Sequence, residues 1–248
     1  MARKRAVEAS SGRLRGKVAL IFGATRGIGL ATARALAAEG CDLFLGGRDR
    51  AALGKASREV TGMGVRVYAK TCDVRREQSV NALVAEVRRR FGQVDILFNN
   101  AGIAHANRNV ERLPVATWRD VLETNLTGMF LGTRASLPLM KRGGTIVNNL
   151  SVAAKRVWPG TAAYNASKHG ALGLTNTLRE ELRPRGIRVL GLIPGATDTD
   201  IWDKMWPQAP RQRMISPETV ASILIGSLLL PDGATVEELR IGPTGGAL

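Results

Sequence analysis

Short apolar runs alternate with segments of helical periodicity along most of the chain. The apolar runs lie at residues 18–22, 42–46, 65–70, 94–98, 145–150, 187–192 and 236–241. Helical patterns lie between them, at residues 28–39, 49–60, 77–91, 115–140, 162–182 and 217–229. Strands buried on both faces of a parallel sheet have this nearly continuous apolar character. The alternation predicts an α/β fold in which successive β-α units build one parallel sheet. We expect Asp49 to cap the second helix and the fourth helix to bend near Gly128.

Length and composition are those of one soluble globular domain. The chain has 248 residues, of which 44% are hydrophobic and 23% are charged, and α/β domains of this size are often undivided. No apolar run approaches the roughly 20 residues needed to cross a bilayer. The basic segment 1–16 lacks the hydrophobic region of a secretory signal. We therefore expect a basic N-terminal tail over residues 1–16 and a single domain over residues 17–248.

Cysteine and histidine are too scarce for a disulfide framework or a metal site. Cys41 and Cys72 are the only cysteines, and His105 and His169 are the only histidines. No carboxylate cluster accompanies them, so no metal is predicted. We expect both thiols to be reduced and buried, as in cytoplasmic proteins.

The chain is strongly basic, with a net charge of +15. Such a charge attracts anionic partners, whether nucleic acid, a membrane surface, an acidic carrier protein or cofactor phosphates. No nucleic-acid-binding motif accompanies it, and the aromatic residues needed for base stacking make up only 4%. A solvated basic surface is therefore favoured over a nucleic-acid or membrane partner.

A glycine-rich turn follows the first predicted strand and opens the first predicted helix. Its glycines are Gly23, Gly27 and Gly29. Glycines there allow a tight turn and let backbone amides approach a pyrophosphate, while the helix N-terminus favours negative charge. The turn predicts a dinucleotide site.

The end of the second predicted strand indicates which dinucleotide binds. An acidic residue at that position would bind the ribose hydroxyls of NAD, whereas an arginine suits the 2′-phosphate of NADP. The strand ends in Gly46-Gly47-Arg48, and Arg26 lies in the glycine turn. Guanidinium groups match phosphate oxygens, so NADP(H) is favoured over NAD(H). Asp49 is the competing candidate for a ribose-binding acid, although we expect it to cap the following helix.

Tyr164 and Lys168 are four residues apart in a predicted helix, with Ser151 thirteen residues before Tyr164. That spacing puts a phenol and an ammonium on one helix face, one turn apart. A phenol titrates near pH 10, so a general acid or base at neutral pH needs its pKa lowered by about three units, or about 4 kcal/mol. The same spacing also fits an ordinary amphipathic helix.

These elements together resemble the short-chain dehydrogenase/reductase family, in its single-domain branch. The resemblance covers residues 17–199 and rests on the joint order and spacing of Gly23/Gly27/Gly29, Asp73-Val74, Asn99-Asn100-Ala101-Gly102, Asn125, Ser151, Tyr164, Lys168 and Pro194-Gly195. It implies a Rossmann-type doubly wound parallel sheet in three layers. It also implies hydride transfer between a nicotinamide and a carbonyl or alcohol carbon.

The resemblance implies a role for each catalytic residue. Tyr164 would exchange a proton with the substrate oxygen, and Ser151 would hydrogen bond to that oxygen. Lys168 would hold the nicotinamide ribose and lower the pKa of Tyr164, and Asn125 would support a water-linked proton relay through Lys168. The implied cofactor-binding residues are Gly23, Thr25, Arg26, Gly27, Ile28, Gly29, Arg48, Asp73, Val74, Asn100, Ala101, Gly102, Tyr164, Lys168, Pro194, Gly195 and Thr199.

In this family a variable segment after Pro194-Gly195 covers the substrate, and here it spans residues 198–216. Trp202 and Trp206 in this segment, together with Trp158, are candidates for an apolar wall. His105 is a further candidate for the same cleft. Packing of these aromatic side chains onto the body of the protein remains an alternative.

The predicted function is an NADP(H)-dependent oxidoreductase that acts on a small-molecule ketone or secondary alcohol. A 3-oxoacyl-carrier-protein reductase is the alternative within enzymes. A basic nucleic-acid-binding or scaffolding protein, and an inactive NADP sensor, are the alternatives outside them. The family resemblance implies a homo-oligomer, either a dimer or a tetramer, although the ending at residues 237–248 departs from the family's usual C-terminus.

Overall fold

The computed structural model describes residues 12–231 and 233–246. Within them, one sheet has seven parallel strands in the order β3-β2-β1-β4-β5-β6-β7. The strands are β1 (Val18–Phe22), β2 (Asp42–Gly47), β3 (Val67–Thr71), β4 (Ile96–Asn99), β5 (Thr145–Asn149), β6 (Arg188–Pro194) and β7 (Glu238–Ile241). Each lies within three residues of its predicted position at either end.

Helices cover both faces of the sheet. They are α1 (Gly27–Ala38), α2 (Arg50–Thr61), α3 (Glu77–Phe91), α4 (Val115–Leu122), α5 (Gly128–Ser136), α6 (Ala162–Leu182), α7 (Trp202–Met205) and α8 (Pro217–Leu228). One apolar core contains side chains of α1, α2 and α8, and a second contains side chains of α3, α5 and α6. The predicted three-layer, doubly wound α/β fold is confirmed.

Strand β1 shows why the apolar runs are continuous. Ala19 and Ile21 belong to the core under α1 and α8, whereas Leu20 and Phe22 belong to the core under α3, α5 and α6. Successive side chains of a strand point to opposite faces. Apolar side chains are therefore needed at successive positions of β1, so this run shows no alternation with polar residues.

The segment 115–140, predicted as one helix with a bend, is divided. A π-helical turn, Glu123–Thr127, separates α4 from α5, and a 3₁₀ turn, Leu137–Leu139, follows α5. Gly128, where a bend was predicted, is the first residue of α5 after the π turn. A Cβ on Gly128 would lie 2.7 Å from Cγ2 of Val74, so glycine lets this helix approach the segment after β3.

The N-terminal basic segment falls partly outside the described residues, which begin at residue 12. Residues 13–16 form a turn in which Leu14 is buried and donates its amide to the Glu39 carbonyl oxygen at 2.9 Å. Arg13 forms an ion pair with the Glu39 carboxylate at 2.7 Å. The end of the predicted tail thus packs against the C-terminal end of α1.

The described residues contain neither a candidate membrane span nor a candidate metal site. No helix in this part of the chain is long and apolar enough to span a membrane. Among the same residues, His, Cys, Asp and Glu side chains form no group of three that could hold a metal ion.

Candidate active site

A large cleft opens at the carboxyl ends of the strands. Strand β1 lies between β2 and β4, and in doubly wound sheets the crevice beside such a reversal of strand order is the usual binding site. The cleft has a volume of about 1230 Å³. A typical small-molecule pocket has roughly 300–1,000 Å³, so this cleft can hold a dinucleotide and a second small molecule.

Most of the predicted cofactor-binding residues line this cleft. They are Gly23, Thr25, Arg26, Gly27, Ile28, Arg48, Val74, Asn100, Ala101, Gly102, Tyr164, Lys168, Pro194, Gly195 and Thr199. Gly29 and Asp73 are not among the lining residues. Both lie next to residues that are, and each makes a contact that explains its position.

The glycine turn has the geometry that requires glycine. Gly23 and Gly27 have positive φ angles of 84° and 53°, a region that side chains disfavour. A Cβ on Gly23 would lie 2.7 Å from the backbone of Ala101, and one on Gly29 would overlap the Gly23 carbonyl oxygen. Gly29 therefore serves the close packing of α1 against the turn and not the wall of the cleft.

The N-terminus of α1 suits an anion. Its N-cap residue is Arg26, and within residues 12–231 and 233–246 no side chain caps this helix and no acidic residue lies in its first turn. The first amides of a helix need an acceptor, and the helix dipole favours negative charge at this end. The glycine turn and the start of α1 therefore fit the pyrophosphate of a dinucleotide.

Two exposed arginines lie at the dinucleotide end of the cleft. Arg26 forms an ion pair with Asp200, 3.3 Å between Nη1 and Oδ2, in which both side chains are largely exposed. Arg48, directly after β2, forms no ion pair with the residues that the structure describes. Asp49 also lines the cleft, and its Oδ1 accepts hydrogen bonds from the amides of Ala51 and Ala52 at 2.8 and 3.0 Å. The prediction that Asp49 caps α2 is confirmed.

Asp73, which was expected to border the adenine, is not among the residues that line the cleft. Arg75 donates to both carboxylate oxygens of Asp73, at 3.0 Å from Nε to Oδ1 and 2.7 Å from Nη2 to Oδ2. These hydrogen bonds hold the pKa of Asp73 below its usual value. Of the Asp73-Val74 pair, Val74 lines the cleft.

Hydrogen bonds connect the end of β4 to the glycine turn. Asn100 donates from Nδ2 to the Gly23 carbonyl oxygen at 2.7 Å, and Asn149 donates from Nδ2 to Oδ1 of Asn100 at 2.7 Å. The Asn100-Ala101-Gly102 segment thereby lies against Gly23 across the cleft floor. Asn149 was not among the predicted site residues.

The structure brings Ser151, Tyr164 and Lys168 together on one side of the cleft. Ser151 follows β5, and the other two lie one turn apart in α6. Lys168 donates from Nζ to the Asn149 carbonyl oxygen at 2.8 Å, and its Nζ lies 5.7 Å from the centre of the Tyr164 ring. The Ser151 Oγ accepts a hydrogen bond from the Ala153 amide at 3.1 Å.

The pKa of Tyr164 differs from the sequence-based expectation. Burial raises the pKa of the phenol, and a hydrogen bond with Ser151 opposes that rise. Burial also lowers the pKa of Lys168, to about 8. We expected the ammonium of Lys168 to lower the pKa of Tyr164, whereas in the protein alone burial of the phenol is the dominant cause and raises that pKa.

Asn125 lies in the π turn beside the cleft and does not line it. Its Oδ1 accepts from the Ile103 amide at 2.8 Å, and its Nδ2 donates to the Ile103 carbonyl oxygen at 2.9 Å and to Ser167 Oγ at 3.0 Å. A Cβ on Gly102 would lie 3.4 Å from Asn125 Oδ1 and 3.8 Å from Lys168 Nζ. Asn125 therefore fixes the segment after β4 close to the predicted lysine.

The residues after β6 complete the cleft. The Gly195 amide donates to the Ile241 carbonyl oxygen at 2.6 Å, which holds this segment to the end of β7. Thr199 lies so near the glycine turn that a Cβ on Gly27 would be 3.0 Å from its Cγ2. Pro194, Gly195 and Thr199 thus bridge the dinucleotide end and the opposite end of the cleft.

Three tryptophans form part of the wall of the cleft. Trp158, Trp202 and Trp206 all line the cleft. The rings of Trp202 and Trp206 meet edge to face, with centroids 6.4 Å apart, and Trp202 donates from Nε1 to the Thr197 carbonyl oxygen at 2.9 Å. The expectation that these side chains surround the cleft agrees with their positions.

His105 does not line the cleft, contrary to expectation. Its side chain is buried, and Nδ1 shares a hydrogen bond with the Ala106 carbonyl oxygen at 2.8 Å. Its Nε2 has no partner among the described residues. The loop after Gly102 turns this ring inward and leaves the neighbouring Ala104 in the wall.

Several lining residues were not predicted. They include Asn107, Asn149, Val152, Arg156, Thr161, Asn165, Arg240 and Pro243. Thr161 and Asn165 share a helix face with Lys168 at helical spacing, so the period of α6 could have identified them. Arg240 and Pro243 belong to the carboxyl end of β7, which the order of the strands places beside β6.

Comparison with known proteins identifies the family. A short chain dehydrogenase family match covers residues 17–210. The chain is 35% identical to the 3-oxoacyl-[acyl-carrier-protein] reductase FabG of Aquifex aeolicus, over 86% of this chain and 90% of that protein. It superposes on an alcohol dehydrogenase from the archaeon Thermococcus sibiricus, solved with 5-hydroxy-NADP, with a TM-score of 0.87 and 33% identity over 94% of this chain and 98% of the other. A variant of actinorhodin polyketide ketoreductase with NADPH gives a TM-score of 0.80 and 36% identity, over 91% of this chain and 95% of the other. The chain belongs to the short-chain dehydrogenase/reductase family, whose members are oxidoreductases that act on carbonyl and alcohol groups.

Proposed function

We propose that this protein is an NADP(H)-dependent oxidoreductase that reduces a ketone and, in reverse, oxidises the secondary alcohol. One observation carries the proposal. The side chains of Ser151, Tyr164 and Lys168 line the same cleft as a glycine turn that fits a pyrophosphate. A protein that only binds nucleotide or nucleic acid has no need of a phenol, a hydroxyl and a buried ammonium at that position.

The protein's own residues supply the proton chemistry. A nicotinamide dinucleotide, when bound, supplies or accepts the hydride. Because burial raises the pKa of Tyr164, its phenol is protonated at neutral pH and can donate to the oxygen of a carbonyl. The hydride on carbon and this proton on oxygen turn the ketone into an alcohol. Ser151 orients the carbonyl oxygen of the substrate. The ammonium of Lys168 stabilises the negative charge of the Tyr164 phenolate that remains after proton transfer.

The residues after β2 support a preference for NADP(H). Arg48 is exposed at the cleft and is free of ion pairs with the described residues, so its guanidinium can bind a 2′-phosphate. Arg26 contributes a second positive charge there. Asp49 is the residue that could bind a ribose hydroxyl instead, but its Oδ1 is already occupied by two helix amides. Two of the similar solved structures are named as complexes with NADPH or an NADP derivative.

A 3-oxoacyl thioester is the second candidate substrate. Arg156, Lys204 and Arg240 line the cleft, are exposed, and form no ion pair with residues 12–231 and 233–246. These positive charges favour a substrate that carries an anionic group. The names of two similar proteins, a 3-oxoacyl-[acyl-carrier-protein] reductase and a polyketide ketoreductase, point the same way.

The first experiment measures NADPH consumption with simple ketones and with acetoacetyl thioesters in parallel. We expect turnover of carbonyl compounds by the wild-type protein and a loss of at least about a hundredfold in Tyr164→Phe, since general acid catalysis is worth about that much. The Kd for NADPH should stay within about threefold, because the change removes one oxygen. Full activity in Tyr164→Phe would refute the assigned acid.

The second experiment tests the phosphate assignment with Arg48→Ala. A hydrogen bond to a charged group is worth about 1.5–3 kcal/mol, so KM for NADPH should rise by about tenfold to a hundredfold. KM for NADH should change little. Arg58→Ala is the matched control, because Arg58 is exposed on α2 and does not line the cleft. Equal weakening of both cofactors by Arg48→Ala would contradict the NADP(H) preference.

A further inference from the structure

Asn149, the last residue of β5, makes contacts in two directions. Its carbonyl oxygen accepts from Lys168 Nζ at 2.8 Å, while its side-chain Nδ2 donates to Asn100 Oδ1 at 2.7 Å. Asn100 in turn donates from Nδ2 to the Gly23 carbonyl oxygen at 2.7 Å. One chain of hydrogen bonds therefore runs from the buried lysine, through two adjacent strand ends, to the glycine turn.

The direction of every bond in this chain is fixed. The Gly23 carbonyl oxygen can only accept, so the Asn100 amide must present its nitrogen to it. The Asn100 oxygen then faces Asn149, which must present its own nitrogen. A side chain at position 149 has to be a donor for the chain to remain intact. An apolar residue breaks it, and a carboxylate breaks it as well, because an ionised carboxylate only accepts.

The side-chain amide of Asn149 lowers the stability of the folded protein. Oδ1 of Asn149 is buried and has no hydrogen-bond partner within the described residues. A buried polar atom without a partner is unfavourable for folding. Asparagine is therefore not the most stabilising residue at this position, and among the described residues its side chain makes one hydrogen bond, to Asn100.

We propose that the Asn149 side chain is a positioning residue, which couples the strand end that holds Lys168 to the glycine turn at Gly23. Within the proposed function, this coupling keeps the acid–base side of the cleft at a fixed distance from the cofactor side. The hydrogen bonds that make this coupling involve only atoms of the protein. The inference can therefore be tested without any cofactor or substrate.

The test is amide hydrogen exchange of the cofactor-free protein, comparing wild type with Asn149→Leu and Asn149→Asp. Asn149→Asp keeps the size of the side chain and loses the donor at neutral pH. We expect exchange of the amides at residues 23–29 to become about two- to tenfold faster in both variants, the range for one lost hydrogen bond. Asn81→Leu, on the exposed face of α3, is the control and should leave exchange at these residues unchanged.

A double-mutant cycle adds an independent readout. If the two asparagines act as one unit, Asn100→Ala combined with Asn149→Leu should lower kcat no further than the more damaging single change does. Two results would overturn the coupling. One is faster exchange that is confined to residues next to position 149, and the other is a loss of kcat in the double variant that equals the sum of the two single losses. If Asn149→Leu fails to fold, amide hydrogen exchange of Asn149→Asp tests the same coupling. Absence of turnover in the wild type would count against the proposed function and leave the exchange result standing.

Discussion

Lys168→Met should give an inactive protein that is more stable at neutral pH than the wild type. Lys168 is buried, with 5% of its surface exposed, and its Nζ has one hydrogen bond, to the Asn149 carbonyl oxygen. No carboxylate forms an ion pair with it among the described residues. Methionine has nearly the same length and fills the same space without a charge.

The magnitude follows from the lowered pKa. A fall from 10.5 to about 8 corresponds to about 3 kcal/mol, at about 1.4 kcal/mol for each pKa unit. At pH 7 the lysine is charged in both the folded and the unfolded chain. The full cost of burying the charge therefore lowers the free energy of unfolding. Between about pH 8 and pH 10.5 the folded protein has lost the proton that the unfolded chain still binds. The free energy of unfolding therefore rises with pH across that window.

The hydrogen bond to Asn149 opposes the gain, because its loss costs about 1 kcal/mol at every pH. We expect Lys168→Met to raise the free energy of unfolding by about 2 kcal/mol at pH 7. The difference between variant and wild type should shrink by about 2 kcal/mol by pH 10. Other groups that titrate in this range, such as Cys41 with its pKa raised to about 12, are common to both proteins and cancel in the difference.

Urea unfolding of cofactor-free protein at pH 7, 8, 9 and 10 measures this difference directly. Lys70→Met is the control, since Lys70 lies exposed on β3 and its replacement should give the same difference at each pH. Turnover with NADPH should be lost in Lys168→Met at all four pH values. A stability difference that does not depend on pH would refute the reasoning, because it would mean that the ammonium is solvated in the folded state.

Two further predictions concern the dinucleotide end. Gly29→Ala should abolish NADP(H) binding in a fluorescence titration, because the added Cβ would overlap the Gly23 carbonyl oxygen and distort the glycine turn. A Kd within threefold of the wild-type value would contradict this prediction. Asp49→Ala should lower the free energy of unfolding by about 1 kcal/mol through loss of the α2 cap, and Asp49→Asn should recover most of it. The preference for NADPH over NADH should survive Asp49→Ala, whereas a clear gain in NADPH preference would mean that Asp49 also meets the ribose.

The strand and helix pattern could be predicted from the sequence because its causes are local or periodic. A parallel strand that is buried on both faces is apolar along most of its length, as β1 is, and a helix face repeats every three to four residues. The three turn glycines and the Tyr164–Lys168 pair could be identified for the same reason. Each depends on spacing within one or two adjacent elements.

The site residues whose surroundings differ from expectation depend on side-chain pairing, on loop paths and on burial. The carboxylate of Asp73 is bound by Arg75, which also binds Asp120 in α4. The inward position of His105 depends on the path of the loop after β4. The pKa of Tyr164 depends on how completely α6 and the segment after β5 enclose it. None of these has a periodic signature.

The polar groups beneath the cleft show how the geometry of the site can be well defined although the burial of some of its groups is unfavourable for folding. Asn149 leaves an acceptor buried without a partner among the described residues, and Lys168 is charged and buried at neutral pH. Both belong to strand ends and a helix that are fixed by packing on two apolar cores, so their geometry is held even though their burial is unfavourable. The tryptophans that line the cleft are held differently: Trp202 and Trp206 lie on and directly after the short helix α7, and Trp158 lies in the segment before α6. Changes at these tryptophans should therefore alter which carbonyl compound is accepted, while changes at Asn149 or Lys168 should alter the rate for all of them.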